Sequence, residues 1–255
     1  MSAQTTTNAP LTIWFNGKFP EPVMRKLSDG VRPHRLVIAT VTSPSNLDGG
    51  THDLSLDEAD VAFGQPDPKQ IIQTPRLRWA QLTTAGYTRY DNDTFRAAFR
   101  RRGAVMTNSS SVYDEPCAEH ALAMILAMAR RLPHALIDQL ATRSWNYLPL
   151  RAESQLLEGQ TVIIYGFGAI ARRLVELLTP FRMNLIGVRR SPRGDEPIRM
   201  VRESEADAVL PQADHVVNLL PASNETEQYF NATRIERMKD TATYYNLGRG
   251  STTDQ

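Results

Sequence analysis

The run Gly166-Phe167-Gly168-Ala169-Ile170-Ala171 has the residue types and spacing that imply chemistry most directly in this 255-residue chain. It has the form G-x-G-x-x-A. Gly166 permits a tight turn, Gly168 lets backbone N–H groups approach a pyrophosphate closely, and Ala171 lets a following helix pack near a sheet. The N-terminus of that helix adds its dipole and its unsatisfied donors, so the turn suits an anion. Its surroundings support a dinucleotide site. Before the turn, Thr161-Val162-Ile163-Ile164-Tyr165 is an unbroken β-branched and apolar run, as in strands buried on both faces. After it, Ile170, Leu174, Leu177 and Leu178 mark one face of a helix that Thr179-Pro180 stops. Asn184-Leu185-Ile186-Gly187-Val188 reads as the next strand and completes a βαβ unit.

At the end of that second strand an NAD-binding unit usually carries Asp or Glu to accept from the ribose 2′-OH. This chain reads Val188-Arg189-Arg190-Ser191-Pro192-Arg193 instead. A carboxylate would repel a 2′-phosphate, whereas guanidinium forks and a hydroxyl would bind it. Arg189, Arg190 and Ser191 therefore favour NADP over NAD, with a solvated basic loop as the alternative. Further on, residues 213–220 form another buried strand, followed by a loop led by Pro221. Asn231 is placed to cap a helix over residues 234–239, and residues 241–245 form a strand that stops at Asn246-Leu247-Gly248-Arg249-Gly250-Ser251. Ligands of open α/β sheets lie outside the carboxyl ends of the strands, so Arg249 should face the cofactor cleft. An arginine between two glycines is more often merely solvated, and the spacing alone leaves its role open.

The elements that must position these residues fall in two regions. Between Leu11 and about Val112, the β-like runs 11–15, 35–40, 61–63, 79–82 and 104–107 alternate with polar or helical stretches. That alternation argues for an α/β layer with a parallel sheet. Arg100-Arg101-Arg102 before Gly103 reads as the last turn of a helix, with cations at the negative dipole end and a glycine C-cap. Asp114-Glu115-Pro116 opens a helix running to about Arg131, apolar on most sides and so expected to be buried. Residues 131–159 read as a polar connection with a turn around Tyr147-Leu148-Pro149. From Gly159 onward the pattern is that of a Rossmann-type doubly wound parallel sheet, so the fold class is α/β, with domains expected at 1–113 and 114–255.

Composition narrows the function classes. Apolar residues make up 41% and charged residues 22%, near the globular average. Twenty-nine basic residues against twenty-eight acidic ones leave a net charge of +1, no footprint for nucleic acid. The longest apolar run, residues 121–129, is far short of the ~20 residues that span a bilayer. The N-terminus MSAQTTTNAPLTIWF has no basic n-region and no apolar h-region, which leads to the expectation of a cytoplasmic protein without a membrane partner. Cys117 is the single cysteine, so neither an internal disulfide nor a multi-cysteine metal site is expected. Of the five histidines, His215 sits in a strand reading as core and His120 at the start of the long helix; His34, His52 and His134 lie in polar stretches with no carboxylate motif.

With these residues in view, the chain resembles the D-isomer-specific 2-hydroxyacid dehydrogenases. The resemblance rests on LEGQT at 157–161 running through GFGAIARRL, then ADHVVNLLPASNETEQYFN, RMKD and NLGRGSTTDQ. Weaker matches are QLTTAGYTRYDN at 81–92 and VMTNSSSVYDEPCAEHALAMILAMAR at 105–130. It implies an oxidoreductase moving a hydride between NAD(P)H and a small 2-oxo or 2-hydroxy acid, with the Rossmann domain inserted into a flavodoxin-like substrate domain. By the same resemblance Thr84, Ala85 and Gly86 hold the substrate carboxylate through backbone N–H groups, an anion-binding nest. Arg249 pairs with substrate carboxylate and carbonyl, and Ala169, Ile170, Leu220, Leu247 and Gly248 match cofactor contacts. A homodimer formed through the cofactor domain and the 116–131 helix is also implied.

In that family a Glu and then a His follow the arginine by a few tens of residues and supply the proton that the reduced substrate needs. Gln255 comes six residues after Arg249. The resemblance therefore implies a sheet incomplete at its C-terminal end and a chain truncated relative to the family, binding dinucleotide but turning over 2-oxo acids feebly. The alternative is a catalytically impaired dinucleotide-binding protein that acts as a cofactor-gated interaction module. Formate dehydrogenase-like chemistry, which needs no proton donor, is a third reading.

Overall fold

Strands form where β-branched and aromatic residues cluster, and Gly, Pro, Asn and Asp punctuate them. The computed structural model describes residues 9–43, 45 and 48–255. They form two compact units that part between Ser110 and Ser111. The first unit runs β1 (Thr12–Gly17), α1 (Glu21–Gly30), β2 (Arg35–Ser43), β3 (Val61–Gly64), α2 (Pro68–Gln73), β4 (Trp79–Leu82), α3 (Asp93–Arg102) and β5 (Val105–Thr107). Its strands are all parallel in the order β2-β1-β3-β4-β5, the flavodoxin-like arrangement. Ile71 of α2 and Phe95 and Phe99 of α3 form one core with Trp14, Ala62 and Ala80 of the sheet.

Arg102 ends α3 in the basic turn read from the sequence, with the Gly103 N–H donating to the Arg100 carbonyl. It also has a role that no local pattern in the sequence signals. Its guanidinium donates to the carbonyls of Ile71, Ile72 and Thr74 at the end of α2 and lies 4.4 Å from the Phe99 ring centroid. One arginine thus caps a neighbouring helix by satisfying its orphan carbonyls.

The second unit runs α4 (Asp114–Ala129), α5 (Leu132–Ala141), α6 (Tyr147–Glu153), β6 (Thr161–Tyr165), α7 (Ala169–Leu178), β7 (Asn184–Arg189), β8 (Arg199–Arg202), α8 (Ala206–Val209), β9 (His215–Asn218), α9 (Ala232–Ile235) and β10 (Thr243–Asn246). The strands are parallel in the order β10-β9-β6-β7-β8. That is a doubly wound Rossmann-type sheet of five strands. Ala118, Ala121 and Ile125 of α4 pack with Leu174 of α7 over Val162 and Ile164. On the other side, Ile163, Tyr165 and Ile186 pack with Val209, Tyr229 and Phe230. Ala171 is fully buried in the first of these cores, the close helix–sheet packing that its small side chain allows.

Three expectations need correction. Helix α4 is buried only along one stripe, and His120 and Ala123 on it are exposed. Residues 131–159 hold two helices and not a polar connection. Leu132, Leu136 and Leu140 recur at helical spacing, Pro133 sits in the first turn, and these leucines are exposed. The helix after Asn231 is shorter than expected and covers only α9, although the Asn231 side chain accepts from the Arg234 N–H at 3.1 Å as a cap. No helix among the described residues is long and apolar enough to cross a membrane.

Candidate functional site

The doubly wound order reverses between β6 and β9, and the loops after these strands meet there. Gly166 turns off β6 at φ +87°, and a Cβ on it would stand 2.9 Å from the Leu219 carbonyl carbon and oxygen. Both the dihedral and the contact demand glycine. The Gly166 N–H donates to the Val188 carbonyl at 3.1 Å, tying the turn to the end of β7. Gly168 is the N-cap of α7 and has no side chain to cap it; the space beside its Cα is open. No side chain therefore caps the first-turn N–H groups of α7.

A third loop closes on the same point. Asn218, fully buried at the end of β9, donates from Nδ2 to Tyr244 Oη and Thr252 Oγ1, both at 2.8 Å. Its Oδ1 accepts from the Leu220 N–H at 3.0 Å and its carbonyl from the Leu247 N–H at 3.0 Å. A Cβ on Gly248 would stand 2.6 Å from the Leu220 carbonyl oxygen, so this backbone pair is in contact and excludes any side chain. Beside these loops lies a crevice of about 410 Å³, lined by Gly166, Gly168, Arg189, Arg190, Leu220 and Pro221. Ser191 also reaches it.

Arg249 is anchored by its main chain. Its carbonyl accepts from Thr252 Oγ1 at 2.6 Å and Asn246 Nδ2 at 3.2 Å, while its guanidinium is exposed and donates to the Gly248 carbonyl at 2.9 Å. Burial pushes the Cys117 thiol of α4 up, and the Arg249 charge opposes that shift.

The arginines after β7 are not idle. Arg189 Nη1 meets Glu196 Oε1 at 2.8 Å. Arg190 Nη2 meets Glu225 Oε2 at 2.6 Å, and its Nε lies 3.9 Å from Glu203. These three carboxylates were invisible to a reading confined to the strand end, since each comes from a later stretch of sequence.

His215 holds the place read for it. It is buried, with Nδ1 3.0 Å from Tyr245 Oη and Nε2 2.8 Å from Gln160 Oε1. Burial pulls its imidazole down to about 4, so it stays neutral near pH 7 and both ring nitrogens are engaged.

Thr84, Ala85 and Gly86 belong to the first unit. Thr84 Oγ1 donates to the Gly86 carbonyl at 2.6 Å, Asn108 Nδ2 to the Ala85 carbonyl at 2.7 Å, and the Ser109 N–H to the Thr84 carbonyl at 3.0 Å. The loop's carbonyls are thus engaged within the protein. Beneath it, Gln65 Nε2 donates to Thr83 Oγ1 at 3.1 Å and Thr84 Oγ1 at 3.3 Å. The Gln65 main chain is itself clasped by the Asn16 amide, with both bonds at 2.8 Å. This Asn16–Gln65 support had no signal in the sequence. A cavity of about 310 Å³ opens beside Asn16, Thr42, Ser43, Gln65 and Thr83.

Known proteins share this organisation. The model of the NAD-binding domain of D-isomer-specific 2-hydroxyacid dehydrogenases matches residues 122–255. Formate dehydrogenase 2, mitochondrial, of Oryza sativa subsp. japonica is 31% identical over 230 residues, covering 87% of this chain and 59% of that protein. Glyoxylate reductase of Pyrococcus furiosus is 29% identical over 196 residues, covering 74% of this chain and 56% of that protein. The chain thus spans less than two thirds of the length of these relatives. The crystal structure of a D-isomer-specific 2-hydroxyacid dehydrogenase family protein from Aeromonas salmonicida subsp. salmonicida superposes with a TM-score of 0.76 at 27% identity, covering 97% of this chain and 76% of that one. The chain described here belongs to the D-isomer-specific 2-hydroxyacid dehydrogenase family.

Proposed function

We propose that this protein reduces a small 2-oxo acid with a nicotinamide dinucleotide, NADPH in preference to NADH. The observation that carries the reading is the meeting of three loops at the switch point. Gly166, Leu219-Leu220 and Leu247-Gly248 come together there in backbone contact, beside an open helix N-terminus. These residues fit a dinucleotide: the glycine turn and the first turn of α7 would hold the pyrophosphate, and Leu220 and Pro221 would flank the cofactor. When bound, the dinucleotide supplies the hydride. Arg249 is the residue for the substrate, a planar fork that pairs with a carboxylate and polarises the neighbouring carbonyl. By the family resemblance, the Thr84-Ala85-Gly86 loop of the first unit would bind a substrate carboxylate through its backbone N–H groups. His215 is not the proton donor, because both of its nitrogens are taken and its imidazole is neutral, so the alkoxide that hydride transfer leaves would take its proton from water.

NADPH preference is supported by Arg189, Arg190 and Ser191 where a ribose-binding carboxylate would stand. Glyoxylate and hydroxypyruvate are the substrates to try first, given the similarity to a glyoxylate reductase. A homodimer formed through the second unit is part of the same reading, since Leu132, Leu136, Ile137, Leu140, Trp145 and Leu148 are all exposed there, a surface suited to a partner copy. Leu136→Asp with Leu140→Asp should shift the mass in solution to that of a monomer.

The central test is steady-state kinetics with both cofactors. Arg249→Lys keeps the charge but loses the fork, and it should raise KM and lower kcat for 2-oxo acids while dinucleotide affinity holds. Unchanged kinetics would remove Arg249 from the site. The similarity to a rice formate dehydrogenase supports a second reading, and reduction of NAD by formate without turnover of any 2-oxo acid would establish it. Dinucleotide binding with neither reaction would favour a cofactor-gated interaction module.

A further inference from the structure

The loop that follows β7 is folded around a carboxylate of its own. Glu196 Oε1 accepts from Arg189 Nη1 at 2.8 Å and from the Arg193 N–H at 2.9 Å. Its Oε2 accepts from the Gly194 N–H at 2.8 Å and again from Arg193 at 3.1 Å. Two successive backbone N–H groups and a guanidinium are the donor set that proteins use to hold a phosphate. The loop screens this carboxylate from water: the Glu196 side chain is 1% exposed and that of Arg189 is 21% exposed. The Arg193 N–H first, with the Gly194 N–H and Arg189, holds the Glu196 carboxyl down at about 2, so it is charged at any pH at which the protein would work. The other arginine, Arg190, meets its partners Glu225 and Glu203 in a more open setting.

We infer that Glu196 is a specificity-determining residue: its carboxylate is an internal competitor for a ribose 2′-phosphate. It occupies Arg189 and the Arg193–Gly194 nest, so that these donors add less to NADP(H) affinity than their number implies. The inference rests on the reading of this loop as the 2′-phosphate site. Two consequences follow. Discrimination between NADPH and NADH comes mainly from Arg190 and Ser191, and it is weaker than three basic residues in five positions would give. Neutralising residue 196 without changing its shape should release the suppressed part.

Glu196→Gln does this, because its amide oxygen can still accept from the two backbone N–H groups while the charge is gone. The measurement is dissociation constants for NADPH and NADH by fluorescence, and for 2′-AMP and 5′-AMP by calorimetry, in wild type and in E196Q of unchanged melting temperature. E196Q should bind NADPH and 2′-AMP at least about threefold more tightly, with NADH and 5′-AMP unchanged, and the gain should fade at high salt. Arg189→Gln should then cost more NADPH affinity in the E196Q background than alone. Equal ratios in wild type and E196Q, or weaker binding of 2′-AMP to E196Q, would overturn the inference. If E196Q is less stable, Glu196→Met, similar in length and uncharged, is the second variant and should raise the NADPH to NADH ratio in the same direction; an unchanged or lowered ratio there would likewise count against the idea. Preference for NADH in the wild type would refute the NADP reading alone, because the E196Q change in ratio is measured independently of the starting preference.

Discussion

Each of the two sheets is started by the same device. Thr12, opening β1, donates its N–H to Asp60 Oδ2 at 2.8 Å and accepts at its carbonyl from the Asp60 N–H at 2.9 Å. Thr161, opening β6, does the same with Asp214, at 2.8 Å and 2.9 Å. Each aspartate immediately precedes a strand paired with the first one, β3 or β9, and each has a cation, Arg76 at 3.1 Å or Lys239 at 2.7 Å. The faces above this shared base differ. Along the row Val61, Trp79 and Val105 of the first sheet, exposure climbs from 7% to 42% and 55%. In the second sheet the row Val216, Ile163 and Ile186 stays at 4% or below. The strand-start hardware fixes the central register alike in both units. They diverge in what is built on the faces and at the carboxyl ends.

The largest effects should come from breaking the shared base. Asp60 is the more buried of the pair, its side chain 5% exposed against 26% for Asp214, and its partner is an arginine. Burial alone would push its carboxyl up, yet the bonds from Arg76 and Thr12 and the charges of Arg76 and Arg78 leave it below the usual carboxylate range. Asp60→Ala would leave the interior Thr12 N–H without its acceptor, at a cost of about 2–3 kcal/mol, while Arg76, half exposed and 3.9 Å from Glu58, stays solvated. Asp214→Ala, at a more exposed site, should cost less, about 1 kcal/mol. Urea titrations would separate them, since Trp14 and Trp79 report the first unit and Trp145 the second. Equal losses would mean that the deeper burial of Asp60 adds nothing, and loss in the wrong unit would mean that the device does not act on the sheet it starts.

Acid should then distinguish the units. His215 has an imidazole pulled by burial from its ordinary value of 6.5 to about 4. Below pH 6.5 the unfolded chain takes up a proton that the folded chain refuses. Its contribution is therefore intact above pH 6.5 and is lost progressively down to about pH 4, amounting at most to roughly 3 kcal/mol. The transition of the second unit should slide to lower urea across this window, and His215→Gln should flatten the slope. A slope unchanged in the variant would clear His215. Loss below that window belongs to the depressed carboxylates Asp53, Asp60, Asp214 and Glu196, whose stabilisation fades as pH falls through their folded values.

The two units also differ in how much of them the sequence disclosed. The second unit's β6, α7 and β7 stood out because a fully buried strand, a glycine turn and an apolar helical stripe each leave a local pattern. Helix α5 leaves one too, Leu132, Leu136 and Leu140 after Arg131, but its apolar face is exposed and the polar residues around it masked the period. β8 escaped notice because Arg199 and Arg202 bracket only two apolar residues. What no local pattern could show was long-range polar pairing. Gln65 under Thr84, Arg102 on the end of α2 and Glu225 on Arg190 each join residues that are far apart in the chain. Glu196 lies within the same loop as Arg189, yet its role depends on a backbone turn that composition does not encode.

The smallest and most selective test sets one glycine against another in the loop where the second unit departs from the first. The Thr84 loop is held by side chains, whereas the turn after β6 is held by the absence of them. At Gly166 the positive φ and the 2.9 Å approach to Leu219 both oppose a methyl group. Gly166→Ala should therefore cost about 1–3 kcal/mol of stability in the second unit and weaken dinucleotide binding as a consequence. At Gly168 the backbone is ordinary extended chain, and nothing lies within 4 Å of where a Cβ would stand. Gly168→Ala should leave the melting temperature unchanged and still weaken NADPH and NADH by a similar factor, because the methyl would fill the space through which a pyrophosphate reaches the helix N-terminus. Thermal melts and fluorescence titrations on the two variants give four numbers. Stability lost at 166 and affinity lost at both positions is the expected pattern; full affinity in Gly168→Ala would move the pyrophosphate away from α7.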